Sequence, residues 1–382
     1  MSNKQLGQYF TTDIILKEKV NEFINNNPIT ILEPSIGRGD LVEYIKTNNE
    51  QIEFDMYEID RSIDFLDSIN IDNIIFGDFL LQEIEKKYKT IIGNPPYIKK
   101  KGTNCYIEFI ERCYNLLDNN GELIFIVPSD FLKLTSSRDI INIMIENGNF
   151  THFYHPHNEK LFENASIDII IFRYQKNIII DNTTIYNEQE LYIYNNDGMI
   201  TFYPDIITED TLKIKDLFDV YVGMVSGKDE IYKNNDLGNI ELLNGIDKIN
   251  KFIFIEEFPS TDELINNYLL EQKNNLLTRK IRKFNESNWY QWGAPRNLNI
   301  IKQYYGDECI YVYNLTRKKE IAFKGRIQYF GGQLLMLKPK NKNIDLNQII
   351  NYLNSENFYI NFLYSGRFKI GHRQLLNSFI IL

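Results

Sequence analysis

Two kinds of apolar spacing alternate along the first 180 residues of this chain. Short, mostly apolar runs read as strands: Ile29 to Leu32, Ile52 to Tyr57, Asn73 to Phe76, Lys89 to Ile92, Leu123 to Val127, Phe150 to Tyr154 and Ile167 to Tyr174. Between them, Leu41 to Thr47 and Tyr106 to Leu117 read as helices. In the second, Ile107, Ile110, Tyr114 and Leu117 share one face. Strands and helices in alternation predict a doubly wound, parallel α/β sheet of seven strands. After Gln175 the alternation stops, and the polar, turn-rich stretch from Asp181 to Asp197 reads as a boundary. The expected organisation is therefore a first domain over 1–180 and a second, α+β domain over 181–382, with an amphipathic helix at Leu346 to Leu353. A chain of 382 residues is long enough for both.

Composition narrows the class. Hydrophobic residues make up 43% of the chain, with 25 Tyr and 25 Phe, which is enough for two real cores. Cys105, Cys113 and Cys309 form no C-x-x-C pair, so neither a zinc site nor a disulfide framework is suggested. His155-Pro156-His157 brings two imidazoles together without a third ligand, and no metal is assigned. Met1 to Gln5 lack an apolar signal core, and no run reaches membrane-spanning length. The expected location is cytoplasmic, away from membranes. A net charge of −10 argues against a nucleic-acid binder, but its distribution changes that picture. Residues 1–272 carry a net −22 and residues 273–382 a net +12, which points to a polyanionic partner for the latter.

Candidate chemistry gathers at strand ends. Asn94-Pro95-Pro96-Tyr97 follows the apolar run Thr90 to Gly93, at the carboxyl edge where open α/β sheets hold ligands. An amide, two prolines and an aromatic there make a rigid loop with a flat face, suited to gripping a planar nucleobase amine. Glu33-Pro34-Ser35-Ile36-Gly37-Arg38-Gly39-Asp40 joins the first strand to a helix, and its glycines allow close approach of backbone to ligand. Val42 stands where a dinucleotide fingerprint needs its third glycine, so a pyrophosphate is not the expected ligand. Glu58 ends the second strand, where an acid can accept both hydroxyls of a ribose. Asp78 follows the third strand, able to accept from an adenine amine, with Phe79 as an apolar wall.

Assembled in this order, these pieces resemble the γ-class adenine-N6 DNA methyltransferases of the TaqI type. The resemblance covers most of residues 1–180 and thins beyond them. It implies a Rossmann-like methyltransferase sheet and S-adenosylmethionine as cofactor. Gly7-Gln8-Tyr9-Phe10-Thr11 resembles the motif that closes over the methionine end of that cofactor, with Thr11 as contact. Glu33, Gly37 and Gly39 resemble the glycine loop, Glu58 the ribose-binding acid, and Asp78, Phe79 and Phe109 the adenine-binding set. Asn94, Pro95, Pro96 and Tyr97 match the catalytic motif without departure, and Phe162 resembles the second base-stacking aromatic. Leu217 to Val220, then Gly223 to Gly227, resemble the start of a target recognition domain. Near Gly371-His372 the family has a proline that fills the hole left by a flipped base; no proline stands there in this chain.

The implied reaction places a methyl group on the exocyclic N6 of an adenine flipped out of duplex DNA, as in restriction-modification systems. Two acceptors, the Asn94 side-chain oxygen and the Pro95 carbonyl, each take one N–H and turn the nitrogen lone pair outward. Positioning and polar preorganisation supply the acceleration. No Pro-Cys motif offers the nucleophile that cytosine-C5 transfer requires.

Double-stranded DNA is the expected partner. Arg279, Arg282, Lys283, Trp292, Arg296 and Asn297 interleave base and aromatic, and Arg317, Lys319, Arg367 and Arg373 extend the basic set. The family expectation is a monomer, and whether a cognate restriction endonuclease acts separately is left open. Three rival readings stand beside this one: an RNA adenine-N6 methyltransferase, a protein glutamine methyltransferase acting on release factors, and a non-catalytic DNA-binding subunit. In the glutamine methyltransferases the extra domain precedes the glycine loop, whereas here the added mass follows it.

Overall fold

The computed structural model describes residues 7–100, 102–162, 165–178 and 182–381. The expectation for Met1 to Gln5, and the Asp181 end of the polar stretch, lie outside them. The chain folds as two units, the first Met1–Ile207 with Tyr364–Gly366, and the second Thr208–Leu363 with Arg367–Leu382.

The first unit is built on β1 (Thr30–Glu33), β2 (Glu53–Glu58), β3 (Ile74–Phe76), β4 (Tyr88–Gly93), β5 (Leu117–Pro128), β6 (Gly148–Tyr154) and β7 (Ile169–Lys176). Their helices are α1 (Ile14–Phe23), α2 (Asp40–Asn48), α3 (Cys105–Leu116) and α4 (Arg138–Glu146). Three further strands follow, β8 (Thr183–Tyr186), β9 (Gln189–Asn195) and β10 (Ile200–Tyr203). The sheet order is β10-β9-β8-β6-β7-β5-β4-β1-β2-β3. Strands β1 to β5 pair in parallel, whereas β7 runs antiparallel to both β5 and β6. The sheet is thus mixed, not wholly parallel, and has ten strands where seven were expected.

Period-two alternation explains why these strands read as continuous apolar runs. Ile31, Ile92, Ile124, Ile126, Ile169 and Ile171 pack on one face with Leu16, Val20 and Phe23 of α1 and Leu41, Val42 and Ile45 of α2. Their neighbours Leu32, Ile91, Leu123, Phe125, Ile170 and Phe172 pack on the other with Ile107 and Ile110 of α3 and Ile140, Ile141 and Met144 of α4. Each fully buried aliphatic contributes about 1.5–3 kcal/mol, so neither face can be left uncovered.

The expected boundary at 181 falls inside this sheet. Thr184, Tyr186 and Ile193 bury one side of the β8–β9 hairpin. Its other side is mostly half-buried and mixes Ile185 and Tyr192 with Thr183 and Glu190, and Asn187 and Glu188 turn the chain with positive φ. A hairpin buried on one side only looks, in sequence, like a turn-rich linker.

The second unit centres on β11 (Phe218–Val222), β12 (Glu308–Tyr313), β13 (Ala322–Arg326) and β14 (Leu334–Pro339), ordered β11-β14-β12-β13 and antiparallel throughout. Helices α5 (Glu263–Glu271), α6 (Leu298–Gln303) and α7 (Leu346–Leu353) accompany it. Helix α7 lies where its spacing predicts, capped by Asp345 and burying Leu346, Ile349 and Leu353. Among the described residues no helix is long and apolar enough to cross a membrane.

Candidate active site

The sheet reverses direction of winding at β1, which lies between β4 and β2. The crevice at the carboxyl ends of β1 and β4 is where such a sheet leaves room for a ligand. Glu33 ends β1 and Asn94 follows β4. A cavity there is lined by seven of the eight residues expected to hold a cofactor: Thr11, Glu33, Gly37, Glu58, Asp78, Phe79 and Phe109. Asn94 and Pro96 also line it. The eighth, Gly39, acts behind the wall: its φ is +98°, and a Cβ there would collide with Ile69.

Each acid is held by main-chain donors. Glu33 is 2% exposed and accepts from the Ser35 N–H at 3.0 Å. Burial pushes its carboxyl up to about 8. Gly93 lets it sit against β4, since a Cβ there would stand 3.0 Å from Glu33 Oε1. Glu58 accepts from Gly37 N–H at 2.9 Å through Oε2, and from Ile59 and Asp60 N–H at 2.9 and 3.0 Å through Oε1. Burial raises its pKa, and those bonds oppose the rise. A carboxylate has about four acceptor positions. Three are taken by main-chain donors, two on Oε1 and one on Oε2, which leaves an open acceptor position on Oε2. Asp78 accepts from Leu80 N–H at 3.1 Å and starts the turn that carries Phe79. Phe79 and Phe109 stack at 5.4 Å, giving the cavity an aromatic wall.

The loop after β4 is tied to the segment ahead of α1. Asn94 donates through Nδ2 to the Tyr9 carbonyl at 2.7 Å and to Thr11 Oγ1 at 3.1 Å. Its Oδ1 accepts from the Tyr97 hydroxyl at 2.6 Å. These three bonds fix which way the amide faces. The Tyr97 hydroxyl has a second acceptor, the Ile126 carbonyl at 3.0 Å. Pro95 is buried. Phe162 is 3% exposed and meets Tyr97 edge-on at 6.1 Å and 69°, so the two rings do not face each other across a slot.

Three side chains near this site carry no role in the sequence reading. Tyr9 stacks on Tyr97 at 5.4 Å. Phe10 packs over Gly37 and under the Arg38 guanidinium. Gln8 donates to Asp60 at 3.3 Å, beside Glu58. All three belong to the Gly7 to Thr11 motif, whose contiguity was the available signal.

The imidazoles of His155 and His157 pack on each other at 3.8 Å. His155 bonds Asp168 and Tyr186, each at 2.9 Å, and burial lowers His157 to about 4. Among the described residues no group of three or more His, Cys, Asp or Glu is placed to hold a metal ion.

In the second unit the expected DNA contacts separate into two kinds. Arg279 and Trp292 are corrections. Arg279 is 7% exposed, and its guanidinium donates to the carbonyls of Leu276, Ser226, Gln291 and Trp289. Trp292 is 1% exposed and donates to the Ile253 carbonyl at 2.9 Å. Both hold the core together and cannot reach a base. Asn297 donates to the Val222 carbonyl, and Arg282 to the Gln291 side chain and the Trp292 carbonyl. Arg296 is exposed and makes a long contact of 3.5 Å with the Gly223 carbonyl. Lys283, Arg317 and Lys319 are exposed, whereas Arg367 and Arg373 are half-buried. Thr316 pairs with Phe368, and Arg317 follows at the end of that strand.

Residues 6–162 match the family model described as Eco57I restriction-modification methylase. The chain is similar to type II methyltransferase M.HindII of Haemophilus influenzae, at 25% identity over 95% of this chain and 86% of that protein. M.HincII of Haemophilus influenzae is 30% identical over 48% of this chain and 39% of its own length. In fold, the type IIL restriction-modification enzyme MmeI superposes with a TM-score of 0.59 at 9% identity, over 98% of this chain and 64% of that one. The family match therefore lies on the first unit, and similarity to a type II methyltransferase runs along nearly the whole chain.

Proposed function

We propose that this protein is a site-specific DNA methyltransferase that modifies the N6 amine of adenine, with a catalytic first unit and a target-recognising second unit. The observation that carries the reading is the orientation of Asn94. Two acceptors on the Gly7 to Thr11 segment take its Nδ2 protons, which leaves Oδ1 as the face presented to a substrate. An amide oxygen has two acceptor positions, and Tyr97 uses one. The other can accept an amine N–H, and the adjacent Pro95 carbonyl is the second acceptor of the pair. Two acceptors on one exocyclic amine draw its nitrogen toward tetrahedral geometry and localise the lone pair. This is positioning joined to polar preorganisation.

The donor set fits S-adenosylmethionine. A buried acid with an open acceptor position, Glu58, suits a ribose hydroxyl, and the Phe79–Phe109 wall suits a purine. Glu33 and the Ser35–Gly39 turn would line the methionine end with Thr11. When bound, that cofactor supplies a methyl group carried on positively charged sulfur. The relatives named as type II methyltransferases, and MmeI in complex with DNA, support DNA as the substrate. In the second unit, Lys283, Arg296, Arg317 and Lys319 remain as exposed candidates for DNA contact.

The test is incubation of the purified chain with methyl-labelled cofactor and, separately, unmodified duplex DNA, RNA and a release factor. Label retained in DNA and removed by nuclease is the expected result. Label in RNA or in protein alone would replace the reading by one of its rivals.

A further inference from the structure

The face of Tyr97 is occupied by a ring of the chain itself. Tyr9 lies on Tyr97 with 29° between their planes and centroids 5.4 Å apart, and it also touches Phe162 at 5.7 Å. A planar base between two parallel rings needs them ~7 Å apart, twice the contact distance of carbon atoms. Tyr97 and Phe162 are closer than that and steeply inclined to each other. The stacked contact that a base would make with Tyr97 is the one Tyr9 makes.

We propose that Tyr9 holds the place of the target base: its ring covers the face of Tyr97 until an extruded adenine displaces it, and it thereby sets how readily a base is accepted. This rests on the adenine reading above. The backbone of Tyr9 stays in place during the exchange. The Tyr97 N–H donates to the Gly7 carbonyl at 3.2 Å, and Asn94 Nδ2 donates to the Tyr9 carbonyl at 2.7 Å. Those bonds aim Asn94, so the motion that remains is rotation of the half-buried Tyr9 ring between rotamers. Offset stacking of aromatic rings is favourable over centroid separations of about 4.5–7 Å. Ring and base therefore compete for one seat through the same kind of contact.

The experiment compares binding of two duplexes. Methylated positions are first mapped in DNA treated with the native protein; one duplex carries the mapped site, the other has its target adenine replaced. Tyr9→Ala removes the competitor and keeps the carbonyl that holds Asn94. It is expected to bind the target duplex up to about tenfold tighter, the size of one or two lost ring contacts. Affinity for the duplex without the target stays at the native value, and Tyr9→Phe, which keeps the ring, keeps the native ratio of the two. In Tyr9→Trp, indole emission shifts to the red on addition of the target duplex alone. Unchanged or weaker target binding by Tyr9→Ala overturns the proposal, as does emission from Tyr9→Trp that is indifferent to the target. Should Tyr9→Ala fail to bind cofactor like the native protein, the Tyr9→Trp result decides. A native protein that marks no adenine in any duplex fails the adenine reading and the proposal together. A native mark with unaltered Tyr9→Ala binding fails the proposal alone.

Discussion

The two units of this chain answer differently to the same kind of inference. In the first, residues scattered over a hundred positions of sequence, from Thr11 to Phe109, converge on one cavity. In the second, residues chosen for charge and aromaticity divide between core and surface, and Arg279 and Trp292 are the most buried of them. The difference lies in what fixes a side chain's position. A residue at the carboxyl end of a parallel strand has its place set by sheet topology, which the alternation of strand and helix already dictates. A basic residue in an irregular segment has no such constraint. Arg279 goes inward, where four carbonyls accept from its guanidinium.

The sharpest break between the units is expected at Asn94. In the proposed mechanism Asn94→Ala removes an acceptor of the reacting amine, so methyl transfer should fall about 10²–10³-fold while duplex binding is retained. Normal turnover in that variant would mean that the first unit's convergence is not catalytic. Next in size is Arg279→Ala, which takes the guanidinium donor away from four carbonyls, two of them, Leu276 and Trp289, losing their side-chain partner. It should cost about 3 kcal/mol of stability in urea unfolding. A variant with native stability and weakened DNA binding would return Arg279 to the set of DNA contacts.

A pH-dependent effect comes from Glu33. Its folded pKa of about 8 lies above the ordinary value of ~4.3 for glutamate. Between those values the folded chain holds a proton that the unfolded chain has released. This contribution to stability is therefore full below the lower value and is lost as pH rises to about 8, by up to ~1.4 kcal/mol per pH unit. Glu33→Gln should flatten that slope in unfolding measured from pH 5 to pH 8; an unaltered slope would show that Glu33 ionises normally. The smallest effect is at the surface of the second unit. Replacing Arg317 and Lys319 by Ala should change stability by less than about 0.5 kcal/mol and lower the salt dependence of DNA binding by about one to two ions. No change in salt dependence would remove that edge from the interface.

Much of the first unit was legible because its signals were redundant. Buried runs such as Ile169 to Phe172 mark strands by composition alone, and Asn94 to Tyr97 combine a rare motif with a strand end. What was not legible depended on contacts. The antiparallel entrance of β7 between β5 and β6 leaves no mark in an apolar run. Strands β8 and β9 hide because their second side is only half-buried and mixes Ile185 and Tyr192 with Thr183 and Glu190. Helix α1 was missed although Asp13 caps it, because its exposed Ile14 and Ile15 blur the apolar stripe. The three main-chain donors that orient Glu58 are displayed by no sequence. Charge misled in a second way: the switch to basic character at residue 273 lies well inside the second unit, whose first part, 208–272, carries 14 acidic and 6 basic residues.

The central claim is that Asn94 and the Pro95 carbonyl activate an adenine amine, and the product nucleoside tests it most directly. Duplex DNA treated with the native chain and cofactor is hydrolysed to nucleosides and resolved by mass spectrometry. The account predicts N6-methyldeoxyadenosine as the modified nucleoside. Methyl groups found on cytosine, or a DNA sample left unmodified while RNA or protein takes up the label, would contradict it.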